Sequence, residues 1–125
     1  MAQKKAQKKA QKADGQVTAA LFDVDGTLAD TNYLHAVTWW EAFDQAGHVV
    51  PMAEIHRAIG MGSGLLLDKL LPADRDKDKD PDIRTAHSAL YSTYWSRLRP
   101  LPGAADLLRA CQRRGLTVVL ASSAD

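Results

Sequence analysis

Two carboxylates, Asp23 and Asp25, stand at the end of a short apolar run, Val17 to Phe22, and are followed by Gly26, Thr27 and Leu28. Side chains alternate along an extended strand, so a spacing of two aims both carboxylates at one place. Like charges held that close repel unless a cation or a shared proton lies between them. Carboxylate oxygens suit a hard, mostly hydrated Mg²⁺, which takes one or two carboxylates plus oxygens of its substrate. An anionic substrate then approaches through the metal. This is the chemistry of phosphoryl transfer, with one carboxylate attacking phosphorus and the other moving a proton. Gly26 lets the chain turn and come close to a ligand. An isolated Asp-Gly would mark an ordinary turn, but the whole run of apolar strand, Asp-x-Asp-Gly-Thr and leucine is more specific.

The elements that must hold these groups follow in order. The apolar run predicts a strand buried on both faces of a parallel sheet, with ligands just beyond its carboxyl end. Asp30 or Thr31 can cap a helix that Gly47 ends, with Leu34, Val37, Trp40 and Phe43 or Asp44 on one face and His35 and Trp39 on another. A second helix runs from Pro51 to Ile59 and a third from Leu65 to Leu71, separated by Gly60-Met61-Gly62-Ser63-Gly64. The alternating acids and bases from Ala73 to Asp82, with Pro81 among them, predict a solvated loop. Residues 82–98 read as a fourth helix with Ile83, Ala86, Leu90 and Tyr94 on one face, and with Tyr91, Tyr94 and Trp95 as packing residues. His48, His56 and His87 are scattered and have no zinc-ligand spacing. Pro100 to Gly103 marks a boundary. Ala104, Leu107, Leu108 and Cys111 then recur as an amphipathic helix, and Leu116 to Ala121 predicts a second buried strand ending in Ser122 and Ser123.

The chain has 125 residues, 46% hydrophobic and 25% charged, within the range of a single globular domain. Its net charge of +1 hides an asymmetry, because residues 1–13 carry five lysines and no acid. Residues 1–15 read as a basic, largely disordered tail with no aromatic residue for base stacking, so specific nucleic-acid binding is not expected. One cysteine excludes an internal disulfide and fits a reducing compartment, and no apolar run approaches a membrane span. The expected location is cytoplasmic.

The run Phe22-Asp23-Val24-Asp25-Gly26-Thr27-Leu28-Ala29-Asp30-Thr31, with His35 following, resembles the first motif of the haloacid dehalogenase superfamily in its phosphatase and phosphomutase branch. The resemblance implies Asp23 as the nucleophile that becomes an aspartyl phosphate and Asp25 as the general acid/base. Asp23 and the backbone at Asp25 would hold Mg²⁺. It implies phosphate binding by Gly26, Thr27, Ser122 and Ser123, and substrate contacts at the hinge and cap from His35, Trp39, Arg57, Gly60 and Ser63. The substrate class would be a small phosphorylated metabolite.

The implied fold is α/β, a Rossmann-like parallel-sheet core (residues 16–30 and 100–125) with an inserted all-helical cap (residues 31–99). Sugar-phosphate mutase relatives often carry a basic residue after the loop glycine, where this chain has Met61, Gly62 and Ser63. The family's later lysine and acidic motifs have no counterpart before Asp125. The sequence therefore reads as the N-terminal part of a hydrolase, with a non-catalytic or partner-dependent module as the other reading and a mutase as a third.

Overall fold

The computed structural model describes residues 15–123; the basic run of residues 1–13 lies outside them. Among these residues two strands, β1 (Ala19–Phe22) and β2 (Thr117–Leu120), enclose five α-helices: α1 (Asn32–Gln45), α2 (Met52–Ala58), α3 (Ser63–Leu70), α4 (Asp80–Ser92) and α5 (Ala104–Arg113). The strands pair in parallel, Ala19 opposite Thr117 through to Phe22 opposite Leu120. Parallel neighbours require a crossover, and here the whole helical segment supplies it. The α/β class is as the sequence predicts, and the sheet is Rossmann-like.

Burial of the strands differs from expectation. Leu21 is 70% exposed and Leu120 60% exposed. Among the described residues the sheet has two strands, with α5 packed beside β2, so much of the apolar sheet surface has no cover.

The core lies instead among the helices. Ala36, Trp39, Ala42 and Phe43 of α1 meet Ile55 and Ala58 of α2, Leu66 and Leu67 of α3 and Ile83 of α4. The buried face of α1 is rotated from the stripe that hydrophobicity alone predicts, and Trp40 is 43% exposed. The alanines allow α2 and α4 to approach α1 closely, while Trp39 and Phe43 fill the space beside them. Helix contact depends on fitting shapes as well as on apolar character.

The charged segment before α4 also departs from the predicted solvated loop. Arg75 sends Nε and Nη2 to the two carboxylate oxygens of Asp80, at 2.9 and 2.8 Å, and Nη2 also reaches Asp68 at 2.8 Å. The Arg75 side chain is only 3% exposed. A two-pronged pair of this kind satisfies a buried charge where a single contact would not. The guanidinium in turn holds the carboxyl groups of Asp80 and Asp68 below their ordinary range. Helix α4 starts two residues earlier than predicted, with Pro81 in its first turn, where a missing N–H costs nothing. It ends at Ser92, and a separate 3₁₀ turn follows at Trp95–Arg97.

Where the chain leaves the sheet and where it returns, the two segments are tied side by side. The Asp30 amide donates to the Arg99 carbonyl at 3.0 Å and the Leu101 amide to the Leu28 carbonyl at 2.8 Å. This seam sets the loop after β1 against the base of the helices. No helix among the described residues is long and apolar enough to cross a membrane.

Phe43 is fully buried and Val49 is 93% exposed. Phe43→Ala is expected to lower the unfolding free energy by about 3–5 kcal/mol, and Val49→Ala to change it by less than about 0.5 kcal/mol. Urea titration of both variants checks the contrast.

Candidate active site

The loop after β1 is a tight knot. The Val24 carbonyl accepts the amides of Thr27, Leu28 and Ala29 at 3.2, 2.9 and 3.0 Å, while the Gly26 amide returns to Ala29 at 2.8 Å. Gly26 has φ of 75°, and a Cβ there would overlap the Asn32 side chain. Only glycine fits, for both reasons. The knot turns the chain directly beneath the strand end and delivers Asp23 and Asp25 to the same cleft.

The two carboxylates have different surroundings. Asp23 is exposed and takes one hydrogen bond, from Thr27 Oγ1 to Oδ2 at 3.3 Å. Asp25 is half-buried, and its Oδ1 accepts the hydroxyl of Thr31 and faces His35 Nε2 at 3.1 Å. Thr31 occupies the helix N-cap position, as predicted, but its side chain makes no cap hydrogen bond. It holds Asp25 instead. One oxygen of each aspartate is left for a ligand. The free oxygen of Asp23 suits Mg²⁺, which takes one or two carboxylates and completes its shell with water and substrate oxygens; no cluster of three or more metal-ligating side chains occurs among the described residues.

Behind Asp25 the helices supply an aromatic stack. His35 Nδ1 lies 3.3 Å from His87 Nε2, the His35 ring stacks on Tyr91 at 4.1 Å, and the Trp39 ring stacks on His87 at 3.9 Å. A carboxylate only accepts, so His35 Nε2–H donates to Asp25. With His35 neutral, its Nδ1 accepts from His87 Nε2–H; with His35 charged, the direction reverses. Burial first, and the charge of His35 second, push the His87 pKa down to about 4, so His87 is neutral at pH 7. Burial, aided by the negative charge of Asp25, pushes the Tyr91 phenol up.

The cleft has a volume of about 270 Å³. Of the residues singled out by sequence, Asp23, Asp25, His35, Trp39, Gly60, Ser63 and Ser123 line it. Ser123 Oγ also donates to the Gly60 carbonyl at 3.0 Å, joining the end of β2 to the glycine loop. Ser122 does not line the cleft. Adjacent side chains of an extended segment point to opposite sides, and Ser123 is the one that faces in. Gly26 and Thr27 shape the loop without lining the cleft. Arg57 lies on a separate groove with Tyr33, Met52 and His56, because α2 turns that face away from Asp23.

The cleft also gathers residues that sequence reasoning missed or assigned elsewhere. Arg84, His87, Ser88, Tyr91 and Trp95 all line it. His87 is paired rather than scattered, and Tyr91 and Trp95 form cleft wall rather than helix core. Their spacing along α4 and the turn after it, three or four residues apart, is a helical stripe. That periodicity was a readable signal, masked by the apolar stripe beside it.

A family model described as haloacid dehalogenase-like hydrolase matches residues 17–125. The chain is 31% identical over 117 residues to Protein SUPPRESSOR OF QUENCHING 1, chloroplastic, of Arabidopsis thaliana, covering 89% of this chain and 11% of that protein. A hydrolase from Pseudomonas syringae superposes with a TM-score of 0.79 at 32% identity, over 84% of this chain and 49% of that one. CbbY from Rhodobacter sphaeroides, solved in complex with phosphate, gives a TM-score of 0.67 at 26% identity, over 88% of this chain and 52% of that one. The chain thus spans about half the length of these solved relatives.

The depressed His87 pKa makes folding sensitive to pH. Between the ordinary 6.5 and about 4 the unfolded chain binds a proton at His87 that the folded chain does not. Stability therefore rises with pH across that window and falls as pH drops through it. Melting temperatures at pH 4.5 and 7.5 are expected to differ less in His87→Gln than in the parent protein.

Proposed function

Since this chain belongs to the haloacid dehalogenase-like hydrolases, we propose that it carries the nucleophile and the acid/base of a Mg²⁺-dependent phosphomonoester hydrolase. The substrate is a small phosphorylated metabolite, and the reaction passes through an aspartyl phosphate. The observation that carries this reading is the unequal treatment of the two carboxylates. Asp23 is exposed at the strand end with an oxygen to spare, whereas Asp25 is clamped by Thr31 and His35.

In this scheme Asp23 attacks phosphorus as the ester P–O bond breaks. Asp25 gives its proton to the departing oxygen, which leaves as an alcohol. Asp25 then takes a proton from water, whose oxygen attacks the phosphorus of the aspartyl phosphate. Inorganic phosphate leaves and Asp23 is restored. His35 and Thr31 hold Asp25 in line. Asp23 and the backbone at Asp25 would hold Mg²⁺, which would supply positive charge to the phosphoryl oxygens.

The helices of residues 31–99 act as a cap over a core of residues 16–30 and 100–125, and the aromatic stack excludes water from the cleft. Ser123 is the better placed of the two serines to meet the phosphoryl group. The phosphate held by the Rhodobacter relative supports an anionic substrate, and the buried lone Cys111 supports a reducing, cytoplasmic setting.

The test uses the protein expressed from its complete reading frame. With Mg²⁺ it is expected to hydrolyse p-nitrophenyl phosphate, and Asp23→Asn to lower kcat by about 10³-fold or more. Turnover retained in purified, folded Asp23→Asn protein would remove Asp23 from the nucleophile role.

A further inference from the structure

Arg84 of α4 lines the cleft that holds Asp23 and Asp25, yet its charge is uncommitted. Its Nε is buried and has no hydrogen-bond partner. It forms no ion pair among the described residues. The carboxylate whose charge it feels, Asp80, is already gripped at both oxygens by Arg75. A buried charged donor left unpaired is expensive, and structures keep one mainly where something else completes it. Opposite the guanidinium is the glycine loop: a Cβ on Gly64 would sit 3.7 Å from Nη2, at ordinary contact distance. That leaves the cleft as the direction from which a partner can arrive.

We propose that Arg84 is a specificity residue that binds a second anionic group of the substrate, a carboxylate or a phosphate distal to the phosphoryl group that reacts. The assignment rests on the reading of this cleft as a phosphomonoester site, and it narrows the substrate to esters with two anionic groups. The planar fork of arginine matches a carboxylate or phosphate in a way that a lysine does not. The cleft volume of about 270 Å³ admits a small molecule of this kind. The neighbouring loop, Met61-Gly62-Ser63-Gly64, offers no basic side chain, so the charge comes from the facing helix. The second anion draws the substrate into the cleft between α4 and the strand ends, while its ester phosphate meets Asp23.

The protein expressed from its complete reading frame, with Mg²⁺, is titrated with ethyl phosphate, 2-phosphoglycolate and the bisphosphate of ethane-1,2-diol. Binding is followed by calorimetry and by the ¹H–¹⁵N resonance of Arg84 Nε. At least one of the two doubly anionic esters is expected to bind about tenfold or more tightly than ethyl phosphate, the order of a charge-assisted pair, and to shift the Arg84 signal. Which of them does so separates a carboxylate subsite from a phosphate one. Arg84→Gln is expected to lose that margin while binding ethyl phosphate within about twofold of the parent; Arg84→Lys, which keeps the charge, should retain part of it. Equal affinities for all three esters, or a margin that survives in Arg84→Gln, would overturn the assignment. A margin without hydrolysis of any ester leaves Arg84 in place and removes the hydrolase reading. Hydrolysis of ethyl phosphate without a margin does the reverse, and binding of none of the three overturns both.

Discussion

The clamp on Asp25 ties the loop after β1 to the helix that carries the helical core. Thr31 and His35 stand at the beginning of α1, one turn apart, and both reach Oδ1 of Asp25 on the loop after β1. Helix α1 also carries Ala36, Trp39, Ala42 and Phe43 into the helical core. The helix that fixes Asp25 is thus the same helix against which α2 and α4 pack. A shift of α1 to relieve a packing defect would move His35 and Thr31 away from Asp25, and a change at Asp25 would release the base of α1. Side chains in contact within one network couple in this way.

Charge is handled in two opposite ways on the same helix. At the start of α4, Asp80 is buried because Arg75 meets both of its oxygens, and the pair closes a corner. One turn later, Arg84 is buried at Nε without any such partner. The first arrangement is complete within the chain and serves packing. The second is incomplete and faces a cleft, where an incoming anion would complete it. Such unmatched polar groups concentrate at functional sites, since a binding surface must keep some of its bonds for the ligand.

Much of this was legible in the sequence. The strand, the Asp-x-Asp-Gly-Thr turn, the parallel partner strand and the helical insertion all follow from local patterns, and so does the glycine at residue 26. What was not legible depended on contacts between distant segments. Hydropathy ranked Leu34, Val37 and Trp40 above the alanines, whereas close approach of α2 and α4 selected Ala36 and Ala42. The run around Arg75 looked solvated because the fork to Asp80 and Asp68 is a tertiary fact. His87 looked isolated because its partner, His35, lies 52 residues away. The resemblance points to Ser122 for the phosphoryl group, whereas Ser123 is the serine that lines the cleft, because side chains alternate along the extended segment after β2.

In the proposed reaction phosphorus passes through Asp23 and Asp25 governs its release. This is tested most directly by acid-quenching the protein, expressed from its complete reading frame, within milliseconds of mixing with a phosphomonoester and Mg²⁺. The peptide containing Asp23 is then weighed by mass spectrometry. The account predicts the mass gain of one phosphoryl group on Asp23, absent in Asp23→Asn and persisting longer in Asp25→Asn, where water lacks its base. A phosphoryl group found on another residue, or hydrolysis proceeding with no phosphorylated peptide in either the parent or Asp25→Asn, would contradict it.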